Sequence, residues 1–180
     1  MSKSNQINIF KIDQAHSNIG FKVKHMMWAK VNGRFDEYKA NLEMPENDFE
    51  KAKLHFTAKT ASINTHDQER DEHLRSSDFF NANLYKQIKF KSSNIKKIKE
   101  NKFIVQGFLK MNNIEQAIEL TTETSGLIKD PKGFSRIILN MTGKINRLKW
   151  GMKWNKPLES GGILVSKEVN LIIETEFILQ

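Results

Sequence analysis

Apolar and polar residues alternate along most of this chain. In "HSNIGFKVKH", Ser17, Ile19, Phe21, Val23 and His25 share one face, and Asn18, Gly20, Lys22 and Lys24 share the other. A period of two over this length predicts a half-buried β-strand. "AKLHFTAKTASI" repeats it, with Leu54, Phe56 and Ala58 opposite Lys53, His55 and Lys59. "KFIVQGFLKM" sets Phe103, Val105, Gly107 and Leu109 on one face, and "NIEQAIEL" sets Ile114, Gln116, Ile118 and Leu120. "FSRIILNMTGKI" does so with Ile137, Leu139, Met141, Gly143 and Ile145, and "EVNLIIETEFIL" with Val169, Leu171, Ile173, Thr175 and Phe177. "QINIFKI" and "RFDEYKANLEM" are weaker strands. In "KQIKFKSSNIKKIKENK" lysines alternate with Ile88, Phe90, Ile95 and Ile98, which predicts a strand with a solvated lysine face, guarded as edge strands are. Turn formers separate the runs, as at Pro45-Glu46-Asn47-Asp48, Asp130-Pro131-Lys132-Gly133 and Ser160-Gly161-Gly162. Roughly eight to ten strands on short connections predict an all-β fold, an antiparallel sandwich or barrel.

One stretch breaks the rhythm. "THDQERDEHLRSSDFFNANLY", Thr65 to Tyr85, is polar and rich in helix formers until it turns apolar at Phe79-Phe80. Asp67 is placed to cap a short helix, with Arg70 three positions on. This insertion, near residues 67–82, admits three readings. A catalytic site would use Arg70, Asp71 and His73, but no nucleophile is indicated. A metal site would use His66, Glu69 and His73, a looser pattern than His-Glu-x-x-His. The structural reading fits best: Arg70 and Asp71 pair with barrel residues, while Leu74, Phe79 and Phe80 enter the interior as a plug or as part of a ligand wall.

The 180 residues suit one domain, 1–180, with a substantial core. The absence of cysteine excludes disulfides, thiol catalysis and thiolate metal sites. A net charge of +8 invites a nucleic-acid reading. The aromatics of the lysine-rich strand, however, point inward rather than offering bases a stacking surface, so no nucleic acid is expected. The polar start "MSKSNQINIF" and the lack of any bilayer-length apolar run make the cytoplasm the expected location, with no integral membrane segment. His25, on the apolar face of its strand, reads as a satisfied core histidine, with a polar contact to a ligand head group as the alternative. Trp28, Trp150 and Trp154 read as core or rim aromatics.

Several motifs together resemble the YceI-like family, also described as polyisoprenoid-binding proteins. They begin with Ile12-Asp13 followed by His16-Ser17, then Phe21, Val23, His25, Gly33 and Phe35. Ser62-Ile63-Asn64-Thr65 leads into Arg70-Asp71-x-His73-Leu74-x-Ser76-x-Asp78-Phe79-Phe80, the most recognisable run. Phe90, Ser92, Gly107, Leu109, Arg147, Gly151-Met152-Lys153-Trp154-Asn155 and Leu158-Glu159-Ser160-Gly161-Gly162 continue it. Lys86 stands where the family often has Pro, and "KMNNIEQ" replaces its Thr-rich hairpin. The resemblance implies an extended, lipocalin-like antiparallel β-barrel of about eight strands whose interior holds a long-chain isoprenoid or other lipid. The role expected is carrier, store or scavenger rather than enzyme, and a homodimer is left open as a partner state; no metal or cofactor is expected, since cysteine is absent and Arg70 and Arg75 stand nearer the carboxylates around His73. The residues expected on the ligand are Phe21, Val23, His25, Phe35, Phe56, Phe79, Phe80, Phe90, Leu109 and Trp154. The rival readings are an enzyme acting on a lipid- or quinone-like substrate through Arg70, Asp71 and His73, and a solidly packed interaction module.

Overall fold

The computed structural model describes residues 7–180. Met1 to Gln6, the start of the polar segment, lie outside the described residues. The alternating runs become β1 (Ile7–Ile12), β2 (Asn18–His25), β3 (Ala29–Phe35), β4 (Tyr38–Pro45), β5 (Lys53–Lys59) and β6 (Ile63–Asn64). After the helix α1 (Gln68–Arg75) come β7 (Gln87–Lys99), β8 (Lys102–Met111), β9 (Ile114–Lys129), β10 (Ser135–Asn146) and β11 (Val165–Leu179). Eight of these close an antiparallel barrel in the order β1-β4-β5-β7-β8-β9-β10-β11 and back to β1. Beyond that ring, β2, β3 and β6 continue the wall from β11. No helix among the described residues is long and apolar enough to cross a membrane.

The long strand β11 makes this arrangement possible. One side pairs with β10 from Asn146↔Glu168 to Arg136↔Ile178. The other side pairs with β2 as far as Glu174↔Asn18 and then passes to β1, from Phe177↔Ile12 to Leu179↔Phe10. Inward-facing Phe10, Leu42, Val105, Leu139 and Phe177 are completely buried at this end.

The lysine-rich strand β7 is not an edge. It pairs with β5 over Gln87–Lys91 and with β8 over nearly its whole length. Ile88, Phe90 and Ile95 point inward as expected, but bulges at Ser92/Asn94 and Lys97/Lys99 shift the register and leave Ile98 55% exposed. The open edge belongs to β3, whose outer side pairs with β6 only at Arg34 and Phe35. The departure at "KMNNIEQ" is a two-residue hairpin turn, with both Asn112 and Asn113 at positive φ.

A charged cluster marks the place where β11 changes partners. Arg136 donates from Nε to Asp130 at 2.6 Å, and from Nη1 to Asp13 at 3.0 Å and Glu176 at 2.6 Å. The Asp13 N–H donates to the Glu176 carbonyl at 2.7 Å, and the Glu176 N–H to Ser17 Oγ. Hydrogen bonding to His16, and secondarily to Arg136, holds the Asp13 carboxyl below its ordinary range. Arg136 does the same for Asp130.

Depressed carboxylate pKa values contribute stability that is present above the unfolded value of about 4 and lost as pH falls through the folded values. The melting temperature should therefore fall steeply as pH drops below about 4. Arg136→Gln should lower it at neutral pH by leaving three carboxylates facing one another, and should shallow the acid limb. Melting curves of both proteins between neutral and acid pH test this, and parallel curves would refute it.

Candidate ligand-binding cavity

Inside the barrel lies a cavity of about 150 Å³. On β11 its wall runs through Val165, Val169, Leu171, Ile173, Thr175 and Phe177. Twelve steps along the chain separate the first from the last, ~40 Å of strand at about 3.3 Å per residue. The space is therefore long and narrow. Other strands supply Ile19, Phe21 and Val23, Ala40, Leu54 and Phe56, Ile88 and Phe90, Leu109 and Met111, Ile118 and Leu120, and Met141 and Ile145.

Two glycines keep the lumen open. Gly33 of β3 lies directly opposite Phe21, and a Cβ there would overlap the Phe21 ring. A Cβ on Gly107 would meet the Phe90 ring and the Lys91 carbonyl. Each ring lies flat over a neighbouring strand that has no side chain at that point, instead of standing across the lumen.

The polar members of the wall are turned away from the lumen. Thr175 Oγ1 donates to the Leu139 carbonyl at 3.1 Å. Arg147 is 4% exposed and donates to the carbonyls of Ser166, Val165, Met152 and Trp154, with Phe79 5.8 Å from its guanidinium carbon. No carboxylate is among these partners. Burial pushes the guanidinium pKa down, but an arginine still keeps its charge. Four carbonyl dipoles satisfy that charge, and they tie the 152–154 segment to the start of β11.

The insertion caps this end. Asp67 accepts from the Arg70 N–H at 3.0 Å and starts α1 as expected. Leu74, Phe79 and Phe80 line the cavity, and Phe80 stacks edge-on against Phe35 at 5.8 Å. Asp71 is 7% exposed and accepts from both the N–H and the hydroxyl of Thr65. Arg70 donates to the same residue, to Oγ1 and to the carbonyl, each at 2.8 Å. Arg75 donates to the carbonyls of Ala61 and Ile63. The helix is thus pinned to the chain immediately before it, through Thr65, and not by ion pairs to barrel strands as the sequence suggested.

His73 pairs with Asp78 at 2.8 Å and packs edge-on against Trp154 and Phe79. The candidate ligands His66, Glu69 and His73 are not gathered. Among the described residues the one His–carboxylate trio is Asp13, His16 and Glu176, into which Arg136 donates.

Eight of the ten residues expected on the ligand lie on the cavity wall: Phe21, Val23, Phe35, Phe56, Phe79, Phe80, Phe90 and Leu109. His25 and Trp154 do not. His25 pairs with Val165 and Ala29, at the tip of a hairpin that outruns the cavity, and is half-buried there rather than in the core. Trp154 stands one layer out, behind Phe79. Of the other tryptophans, Trp150 is a core residue that donates to the Leu109 carbonyl, but Trp28 is 91% exposed and belongs to neither core nor rim.

Because Asp71 is buried on two donors, Asp71→Ala should cost roughly 1–3 kcal/mol by leaving the Thr65 groups unpaired. Arg70 is partly exposed, and Arg70→Ala should cost only about 1 kcal/mol. Denaturant unfolding of both variants checks the order, and a larger loss for Arg70→Ala would contradict it.

Comparison with known proteins gives a consistent picture. The family model described as YceI-like domain matches residues 10–177. A UPF0312 protein of Staphylococcus aureus strain bovine RF122 is 37% identical over 169 residues, covering 93% of this chain and 96% of the relative. The Campylobacter jejuni YceI protein superposes with a TM-score of 0.75 at 30% identity, over 100% of this chain and 99% of that one. BcnA of Burkholderia cenocepacia shares the fold at TM-score 0.78 and 19% identity, over 92% and 98% of the two chains. A polyisoprenoid binding domain from Saccharophagus degradans does so at 0.67 and 12%, over 95% and 98%.

Proposed function

The chain belongs to the YceI-like domain family, and from that premise we propose that it binds a long, slender apolar molecule, an isoprenoid or similar lipid chain, inside its barrel. The reading rests on one observation: a narrow cavity bounded by apolar side chains along most of β11. The use of the same fold by the polyisoprenoid binding domain of Saccharophagus degradans supports it. Each methylene taken from water contributes roughly 0.8 kcal/mol. About ten of them supply ~8 kcal/mol gross, the scale of micromolar binding before association costs. Such a site recognises length and thickness rather than functional groups, and the role is to carry, store or scavenge the chain without changing it. Thr65 and Asp78 occupy the polar groups of Arg70, Asp71 and His73, which fits a structural use of that cluster.

Native mass spectrometry of the purified protein, with extraction of any bound lipid and uptake assays using prenyl chains of graded length, tests this directly. Bound or acquired chains are expected. Apo protein alone, with no uptake, would refute the reading.

Two substitutions sharpen the test. Gly33→Ala should push the Phe21 ring into the lumen, shortening the longest chain accepted and costing about 1–3 kcal/mol of stability. Ala40→Phe should place a ring in the cavity and suppress uptake while the far-ultraviolet circular dichroism stays native. Unchanged uptake in both would place the ligand outside this cavity.

A further inference from the structure

The tip of the β2–β3 hairpin carries Met26, Met27 and Trp28, which are 54%, 50% and 91% exposed. Folding alone gives no reason for these residues. Met26 and Met27 have φ of 51° and 68°, the left-handed region that hairpin turns ordinarily fill with Asn or Gly. Apolar side chains are thus held in water at positions their backbone disfavours. The tip is nonetheless fixed in place. The Met26 N–H donates to the Leu164 carbonyl at 2.8 Å, and Met27 rests against Gly162.

The charge around the tip is predominantly positive. Residues 18–35 contain no acidic residue. Exposed Lys22, Lys24 and Lys30 flank the tip on its own strands. Across from it the 147–168 segment adds exposed Lys153, Lys156 and Lys167 against Glu159 and Glu168, and Lys144 pairs with Glu168 at 3.2 Å, so the balance stays positive. The Lys156 carbonyl accepts from the Leu164 N–H, so this second basic segment is joined to the tip. Leu164 immediately precedes Val165, where the cavity wall begins.

We propose that this hairpin tip docks the barrel on an anionic lipid bilayer, with Met27 and Trp28 entering the interfacial region and the lysines meeting acidic headgroups. Tryptophan is the side chain that settles at that depth, and methionine adapts to its irregular packing. A few inserted side chains with a basic surround is the combination that gives reversible, charge-dependent membrane binding. A second copy of this chain is the poorer occupant, because a two-fold contact would bring the same lysines face to face. The docked geometry would present the end of the cavity at Val165 to the surface. That purpose rests on the proposed apolar ligand, but the docking itself does not.

The test is flotation with vesicles of phosphatidylglycerol and phosphatidylcholine in equal parts, against phosphatidylcholine alone, with tryptophan emission recorded in parallel. Binding to the acidic vesicles only, weakened by salt and accompanied by a blue shift, is expected. Trp28→Ser combined with Met27→Gly and Met26→Asn should lower the partition coefficient about tenfold or more and abolish the shift. This variant relieves the backbone disfavour at the turn, so it should melt no lower than the parent. Phe134→Ser, at an exposed apolar site in a different hairpin, should bind as the parent does. The proposal falls if acidic vesicles do not float the protein, if the tip variant floats unchanged, or if Phe134→Ser is the one that fails. It also falls if light scattering shows a dimer that the tip substitutions dissociate. Prenyl-chain uptake measured in solution without vesicles separates failure of docking from failure of the ligand reading.

Discussion

Everything in this barrel depends on β11 keeping two partners on one side. A sheet closes only if its last strand meets its first, and β1 is too short to cover β11 alone. It reaches only Phe177, Ile178 and Leu179. The remainder of that side belongs to β2. The handover is secured from outside by Arg136 among Asp13, Asp130 and Glu176, and from inside by Phe10 and Phe177. His16 and the Arg136 guanidinium hold the Asp13 carboxyl, and Arg136 the Asp130 carboxyl, below their ordinary range, so the closure is electrostatic on its wet side and hydrophobic on its dry side.

A closed eight-stranded ring is just wide enough to be filled by its own side chains. Free volume persists here because large rings are laid against glycines. Phe21 over Gly33 and Phe90 beside Gly107 put aromatic bulk into the wall. Polar groups obey the same economy of space: the Arg147 guanidinium spends its donors on backbone carbonyls, and the lumen keeps an apolar lining. Overlaid on this is the cap, whose Leu74, Phe79 and Phe80 complete the wall from a helix anchored through Thr65.

Period-two alternation made the wall legible in advance. It assigned Phe21, Val23, Phe56, Phe90 and Leu109 to an inner face, and the cavity lies there. Alternation says which face a residue is on but not where along the strand the interior stops, so His25 was carried past the end of the lumen. It also assumes unbroken register, so the bulges of β7 turned Ile98 outward unannounced. Barrel closure itself, as against a sandwich, came from the family resemblance alone. Residues in irregular segments carried no such signal. The burial of Arg147, and the meeting of Asp13 with Arg136 across 123 positions, are tertiary facts with no local trace. Trp28 misled for a related reason: composition favours burying a tryptophan, and only the length of the hairpin decides that this one stands clear.

The open side of β3 makes the wall mechanically uneven. Each strand of the closed ring is laced to a neighbour on both flanks, so bending it outward breaks two ladders. Between Ala29 and Gly33, β3 is laced only to β2. Compliance is therefore concentrated in one panel, next to the Phe21–Phe35–Phe80 aromatic row that separates the lumen from water. The wall thus carries one soft seam beside a ring that is otherwise laced on both sides.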